Sequence, residues 1–145
     1  EFQANGLFLS KQTMSNWTVW SAERYFTPVY EYMKARQLQA HVNQCDETTL
    51  EVIHDGRPAG SKSYMWLHLT GELSPDPRII VYEYQKTRHS DHPKEYYKDF
   101  KGILVTDGLS QYHKIARELE HLENANCWAH YPRSIVILGE LPTPA

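Results

Sequence analysis

Gly102-Ile103-Leu104-Val105-Thr106 runs without a break into Asp107-Gly108, and a segment of helical periodicity starts shortly after. A short β-branched-rich run, stopped by Asp-Gly and followed by a helix, reads as a buried strand feeding a turn. In α/β sheets the C-terminal ends of strands are where ligands and metal ions collect, and Asp107 occupies such a place. Asp46 is a second aspartate of this kind, closing the run His41-Val42-Asn43-Gln44-Cys45. Two carboxylates at adjacent strand ends make a hard-oxygen site for Mg²⁺ or Mn²⁺. The plainer reading is that one or both cap turns, since Asp before Gly is ordinary turn chemistry.

The rest of the chain supplies the sheet for those strands. Ser10 is an N-cap for a helix opening at Lys11, and Pro28 either kinks that helix or opens a second one running to about Leu38. The aromatic face formed by Trp17, Trp20, Tyr25, Phe26 and Tyr30 reads as core or helix-packing surface. His41 to Asp46 and Thr49 to His54 look extended. The segments 62–69 and 78–84 read as an antiparallel hairpin. A polar loop over 87–93 precedes a short helix over 94–100, with Tyr96, Tyr97 and Phe100 as its apolar residues. A helix is expected from about Ser110 to Leu122, and Asn126-Cys127-Trp128-Ala129 is expected as a last strand. Three antiparallel-prone strands followed by β-α-β give a mixed α/β sheet in the order of a ribonuclease H-like core.

Composition sets limits on this picture. The 145 residues fit one domain of ordinary size, and 41% apolar with 23% charged residues mark a globular chain. No apolar stretch approaches the length needed to span a bilayer, and no secretory signal is visible, so a cytoplasmic location is expected. Two cysteines, Cys45 and Cys127, are too few for a disulfide scaffold. A net charge of −3 means that any DNA contact comes from a local basic surface or through metal ions.

Several short motifs, in order, resemble the transposases of the insertion sequence 66 group. They are residues 9–17 (Leu9-Ser10-Lys11 to Trp17), Asp46-Glu47-Thr48, Lys62-Ser63-Tyr64-Met65-Trp66, Tyr84-Gln85-Lys86-Thr87-Arg88, His92-Pro93-Lys94-Glu95, Thr106-Asp107-Gly108 and Cys127-Trp128-Ala129-His130. The resemblance runs over roughly residues 7 to 133. It implies a DDE-type transposase core: a ribonuclease H-like fold in which three acids hold two divalent ions, here Mg²⁺ or Mn²⁺. Asp46 matches the first acid and Asp107 the second, as catalytic residues and metal ligands alike. It also implies DNA as partner (transposon ends and target), strand cleavage and transfer as the reaction, and a possible homo-oligomer in the full-length protein. Two ions about 4 Å apart can stabilise both the attacking and the leaving oxygen of a phosphodiester.

On this reading residues 1–39 form an N-terminal helical segment, 40–133 an incomplete core and 134–145 an irregular tail. The third acid is expected on a later helix, and the sequence after Arg133 departs from the family pattern. Glu140, between Gly139 and a proline-bounded tail, is a poor substitute. The chain is therefore expected to be catalytically incomplete in isolation. The alternatives are a non-catalytic remnant that binds DNA or protein, and an unrelated small metal-dependent hydrolase. Arg57, Lys62, Lys86 and Arg88 are candidates for DNA phosphate contacts, against the plainer reading of a solvated loop surface. Cys127-x-x-His130 is half of a zinc spacing that His41 and Cys45 could complete only if the strands adjoin. His89, Asp91 and His92 read as loop and helix-start residues. Glu47 points to the face opposite Asp46 if the strand continues.

Overall fold

A computed structural model describes residues 3–53, 56–71 and 74–129. The chain divides into two compact units between Ala35 and Arg36.

In the first unit a short 3-10 turn, Gln3–Asn5, precedes helix α1, Lys11–Ser21. Ser10 caps α1 as its residue type suggests, its Oγ accepting from the Thr13 N–H at 3.0 Å. Pro28 lies in the first turn of a second helix, one of the two outcomes expected of it. A π-helical segment, Ala22–Phe26, lies just ahead of α2, Thr27–Gln37, so one helical run continues across the proline. A widened turn absorbs the missing N–H and the ring, a common way for helices to tolerate proline. Of the aromatic residues expected as core or helix-packing surface, Trp17, Trp20, Tyr25 and Phe26 are exposed and Tyr30 is half-buried, and neither α1 nor the π segment buries a residue. They pack locally instead: Trp20 meets Tyr25 edge-on at 5.7 Å, and the Arg24 guanidinium lies over both rings.

The second unit is a five-stranded mixed sheet. Its strands are β1, Val42–Glu51; β2, Lys62–Thr70; β3, Ile80–Gln85; β4, Gly102–Thr106; and β5, Leu122–Asn126. The order across the sheet is β3-β2-β1-β4-β5. β1 pairs antiparallel with β2 and β2 with β3, whereas β1–β4 and β4–β5 are parallel. Helix α3, Asp91–Tyr96, connects β3 to β4, and α4, Ser110–Glu118, connects β4 to β5. This is the ribonuclease H-like mixed α/β arrangement expected from the order of elements.

Three boundaries differ from expectation. His41–Asp46 and Thr49–His54 are not separate extended pieces, because β1 pairs residue for residue with β2 from Asn43 to Glu51. Asp46 therefore sits inside a strand, not at its end. The helix α3 begins three residues early; Pro93 fits its first turn because the N–H it lacks has no helical partner there. The last strand is 122–126 and not 126–129, since α4 closes with Leu119 N–H on the Ile115 carbonyl and Leu122 then pairs with Gly102. Leu122 had the spacing of a helix face, but it is buried in the sheet.

Pleating divides the sheet chemically. Asn43, Cys45 and Glu47 of β1 share a face with Thr70, His68 and Trp66 of β2 and with Leu104 of β4. That face is covered: Trp66, Tyr96, Tyr97, Phe100, Leu104, Tyr112, Ile115 and Leu122 are buried in one core with the short helices. His68 stacks on Tyr96 at 3.6 Å, and Tyr112 meets Trp66 edge-on. The opposite face carries Val42, Gln44, Asp46, Leu67, Leu69, Tyr82, Ile103 and Val105, and is partly open to solvent.

Candidate metal centre

Asp46 and Asp107 come together through the parallel pairing of β1 with β4. The paired register is Val42↔Ile103, Asn43↔Leu104 and Gln44↔Val105; Asp46 lies two residues past its end on β1, and Asp107 two residues past it, just beyond β4. Parallel neighbours lie about 4.8 Å apart, and equal register puts the two residues on the same face. Both line one shallow, open cavity with Gln44, Leu67, Val105 and Cys127.

Local geometry fixes each carboxylate. Asp46 Oδ1 accepts from the Glu47 N–H at 2.9 Å. Asp107 Oδ1 accepts from the Leu109 N–H at 3.1 Å, an Asx-type turn that leads into α4. Gly108 makes that turn in the left-handed region, φ 83°, where a side chain would be strained. Asn124 ties the strand end from the other side, donating to the Leu104 carbonyl at 3.1 Å and to Thr106 Oγ1 at 3.0 Å.

Directly beneath Asp46, on the covered face, lies a second polar cluster. The Glu47 side chain is 1% exposed. Its Oε1 accepts from Arg88 Nε at 2.6 Å and also from Arg88 Nη2, and its Oε2 accepts from the Tyr112 hydroxyl at 2.5 Å. Partial burial works against the Arg88 charge, but the bonds to Glu47, the Glu47 charge and the nearby Asp107 outweigh it and raise its pKa. Cys45 Sγ lies 3.6 Å from both His68 Nδ1 and the Tyr112 hydroxyl. Burial pushes the Cys45 thiol far up, and burial together with Cys45 does the same to Tyr97 and Tyr112. At neutral pH these three groups stay protonated, so Cys45 has the character of a core residue and not of a nucleophile.

The basic candidates gather at the same end of the sheet. Lys62 opens β2 opposite Glu51, and Lys86 follows the end of β3. Arg57 links them, its Nη1 donating to the Lys62 carbonyl at 3.1 Å and the Lys86 carbonyl at 2.5 Å, and its Nη2 to Ser63 Oγ. Its guanidinium thus holds the loop together. Lys62, Lys86 and Arg88 are exposed.

Among the described residues no group of three or more His, Cys, Asp or Glu is placed to hold a metal ion. The Cys45 thiol is buried against His68 and Tyr112 on the covered face, and no zinc set assembles around it among the described residues. His130 and Glu140 lie outside the described residues, as does the expected tail. Sequence reasoning missed the Glu47–Arg88–Tyr112 cluster. The available signal was Glu47 itself: a carboxylate on the covered face of a strand requires a charged partner.

A family model described as "Transposase IS66 family" matches residues 1–142. Over 112 residues the chain is 27% identical to "Uncharacterized protein y4qI" of Sinorhizobium fredii (strain NBRC 101917 / NGR234), covering 71% of this chain and 21% of that protein. The chain thus spans 21% of the length of this curated relative. A chain from the cryo-EM structure of the simian T-cell lymphotropic virus intasome in complex with PP2A regulatory subunit B56 gamma is similar over 68% of this chain and 35% of its own length. Its identity is 10% and its TM-score 0.42.

Proposed function

Because the chain belongs to the transposase IS66 family, we propose that Asp46 and Asp107 are the first two carboxylates of a DDE-type site. It acts on DNA in strand cleavage and transfer. The observation that carries this reading is that both aspartates line one cavity, each just past the paired stretch of the neighbouring parallel strands β1 and β4.

The donor set suits a hard divalent ion. Mg²⁺ is commonly held by one or two carboxylates, with water and substrate phosphate completing the shell, so two aspartates suffice for one ion. When bound, Mg²⁺ or Mn²⁺ supplies neutralisation of phosphate charge and polarisation of the phosphodiester. The chain's own residues hold and orient. The Glu47 and Leu109 N–H groups each fix one oxygen of their aspartate. Arg57 organises the loop that presents Lys62 and Lys86, which with Arg88 contact DNA phosphates on either side of the acids.

In this proposal the described residues supply an ion-binding pair without the third acid, so the 145-residue chain alone transfers strands poorly. Titration with Mn²⁺, followed by thermal unfolding, tests the pair. Binding to the native state raises Tm with ion concentration, and the rise is expected to disappear in Asp46→Asn. A wild-type Tm indifferent to Mn²⁺ overturns the site. Supercoiled-plasmid nicking tests completeness: little is expected, and robust nicking abolished by Asp107→Ala contradicts that part. A non-catalytic DNA-binding remnant is the second reading, favoured by the cavity's having two carboxylates among the described residues.

A further inference from the structure

Glu47 joins three separate segments around the aspartate pair. It follows Asp46 directly in β1. It holds Arg88, which lies in the connection between β3 and α3, and it takes the hydroxyl of Tyr112 in the first turn of α4, the helix that Asp107 leads into. A carboxylate that is 1% exposed, with both oxygens occupied and one shared by two donors of the same guanidinium, is a rigid anchor.

Arg88 itself is not enclosed. Its side chain is 42% exposed, and Asp107 is among the charges that hold it protonated. Nε and Nη2 are engaged by Glu47, and no bond of Nη1 is seen among the described residues. The result is a guanidinium with one edge fixed to the sheet and its remaining donors available beside an acid of the site. Planar, bidentate donors of this kind suit a phosphate oxygen better than a flexible ammonium does.

We propose that Glu47 is a positioning residue, and that it presents Arg88 as a pre-oriented clamp for a DNA backbone phosphate next to Asp107. The inference rests on the DNA-directed reading above and adds to it the residue that sets the clamp. Tyr112 completes it by tying the same carboxylate to the helix after Asp107. Holding the arginine in place before binding removes the side-chain ordering cost that a free surface arginine would meet.

The test measures binding of a fluorescein-labelled DNA duplex to the full 145-residue chain by anisotropy, over a series of salt concentrations without divalent ion. Mn²⁺ affinity is measured separately by electron paramagnetic resonance. Arg88→Ala is expected to weaken DNA binding roughly tenfold and to lower the salt slope by about one phosphate contact. Glu47→Gln should weaken binding with the slope nearly unchanged, since Arg88 keeps its charge but loses its anchor. Mn²⁺ affinity should stay within about twofold of wild type in Arg88→Ala, whose residue is no ion ligand. Arg88→Lys covers the case in which Glu47→Gln fails to fold. It keeps the charge and the slope, and is expected to lose affinity because it lacks the two-edged geometry. Wild-type affinity and slope in Arg88→Ala would overturn the clamp while leaving the DNA-directed reading intact. So would a fall in stability with the DNA parameters unmoved. Absence of duplex binding by the wild-type chain overturns both.

Discussion

Single residues in this chain show how strongly placement governs the behaviour of an acid. Asp76 accepts from Ser74 Oγ, from the His41 backbone N–H at 3.0 Å and from His41 Nδ1 at 3.3 Å, and the first of these does most to bring its pKa from 3.8 down to about 2. A depressed folded-state pKa stabilises the native state above the ordinary carboxylate pKa. That contribution is lost as pH falls from 3.8 to about 2. Asp76→Asn should therefore flatten the acid limb of stability in that window, read from urea midpoints measured at successive pH values. An unchanged limb would mean that other carboxylates dominate acid unfolding. Asp46 and Glu47 make the contrast sharper. They are consecutive in sequence, yet one is exposed over the open face and the other is sealed behind the sheet.

Among the elements, those with an unambiguous period were legible in the sequence. The alternation in 62–69 and 78–84 gave the hairpin, because one face of each strand had to be apolar and the other not. The run ending at Asp107 gave β4, and Ser10 gave the start of α1 by cap chemistry alone. The boundaries that differed had competing signals. Leu122 continued the apolar face of α4 in spacing, and only the backbone pairing with Gly102 claims it for β5. In β1 the extended character was legible, but the polar side chains of Asn43 and Glu47 masked which face is covered, because that face is satisfied by hydrogen bonds as well as by hydrocarbon. The aromatic helices were misjudged because apolar spacing reports a potential face and not its occupancy. For β4 the energetic expectation is direct. Leu104 is 0% exposed, so Leu104→Ala should lower unfolding free energy by about 2–5 kcal/mol, through lost transfer and the cavity left behind. Chemical denaturation monitored by tryptophan fluorescence checks it, and a loss below about 1 kcal/mol would show that the core collapses around the gap.

Across the whole molecule, the asymmetry between the two sheet faces is the main feature. Sheets containing parallel pairs are ordinarily buried on both sides. Here Tyr82 is 63% exposed, Ile80 40% and Ile103 39%, on the face that also holds Leu67, Leu69 and Val105. The native chain should accordingly bind an environment-sensitive dye such as anilinonaphthalene sulfonate, and Tyr82→Glu should reduce the signal without lowering Tm. A dark native state would show that this face is sealed. The candidate site shares the same face. Sequence context pointed to Asp46 and Asp107 as a pair at neighbouring strand ends; the cavity that both line rests on a pairing between segments some 60 residues apart, which no local pattern encodes. That dependence has a kinetic side. The β1–β2–β3 meander closes through neighbouring stretches of chain, but the β1–β4 ladder must wait for the slower long-range search. During refolding, then, hydrogen-exchange protection of the meander amides would precede any affinity for a cation, and a pulse of Mn²⁺ would time-stamp the moment the central seam zips shut.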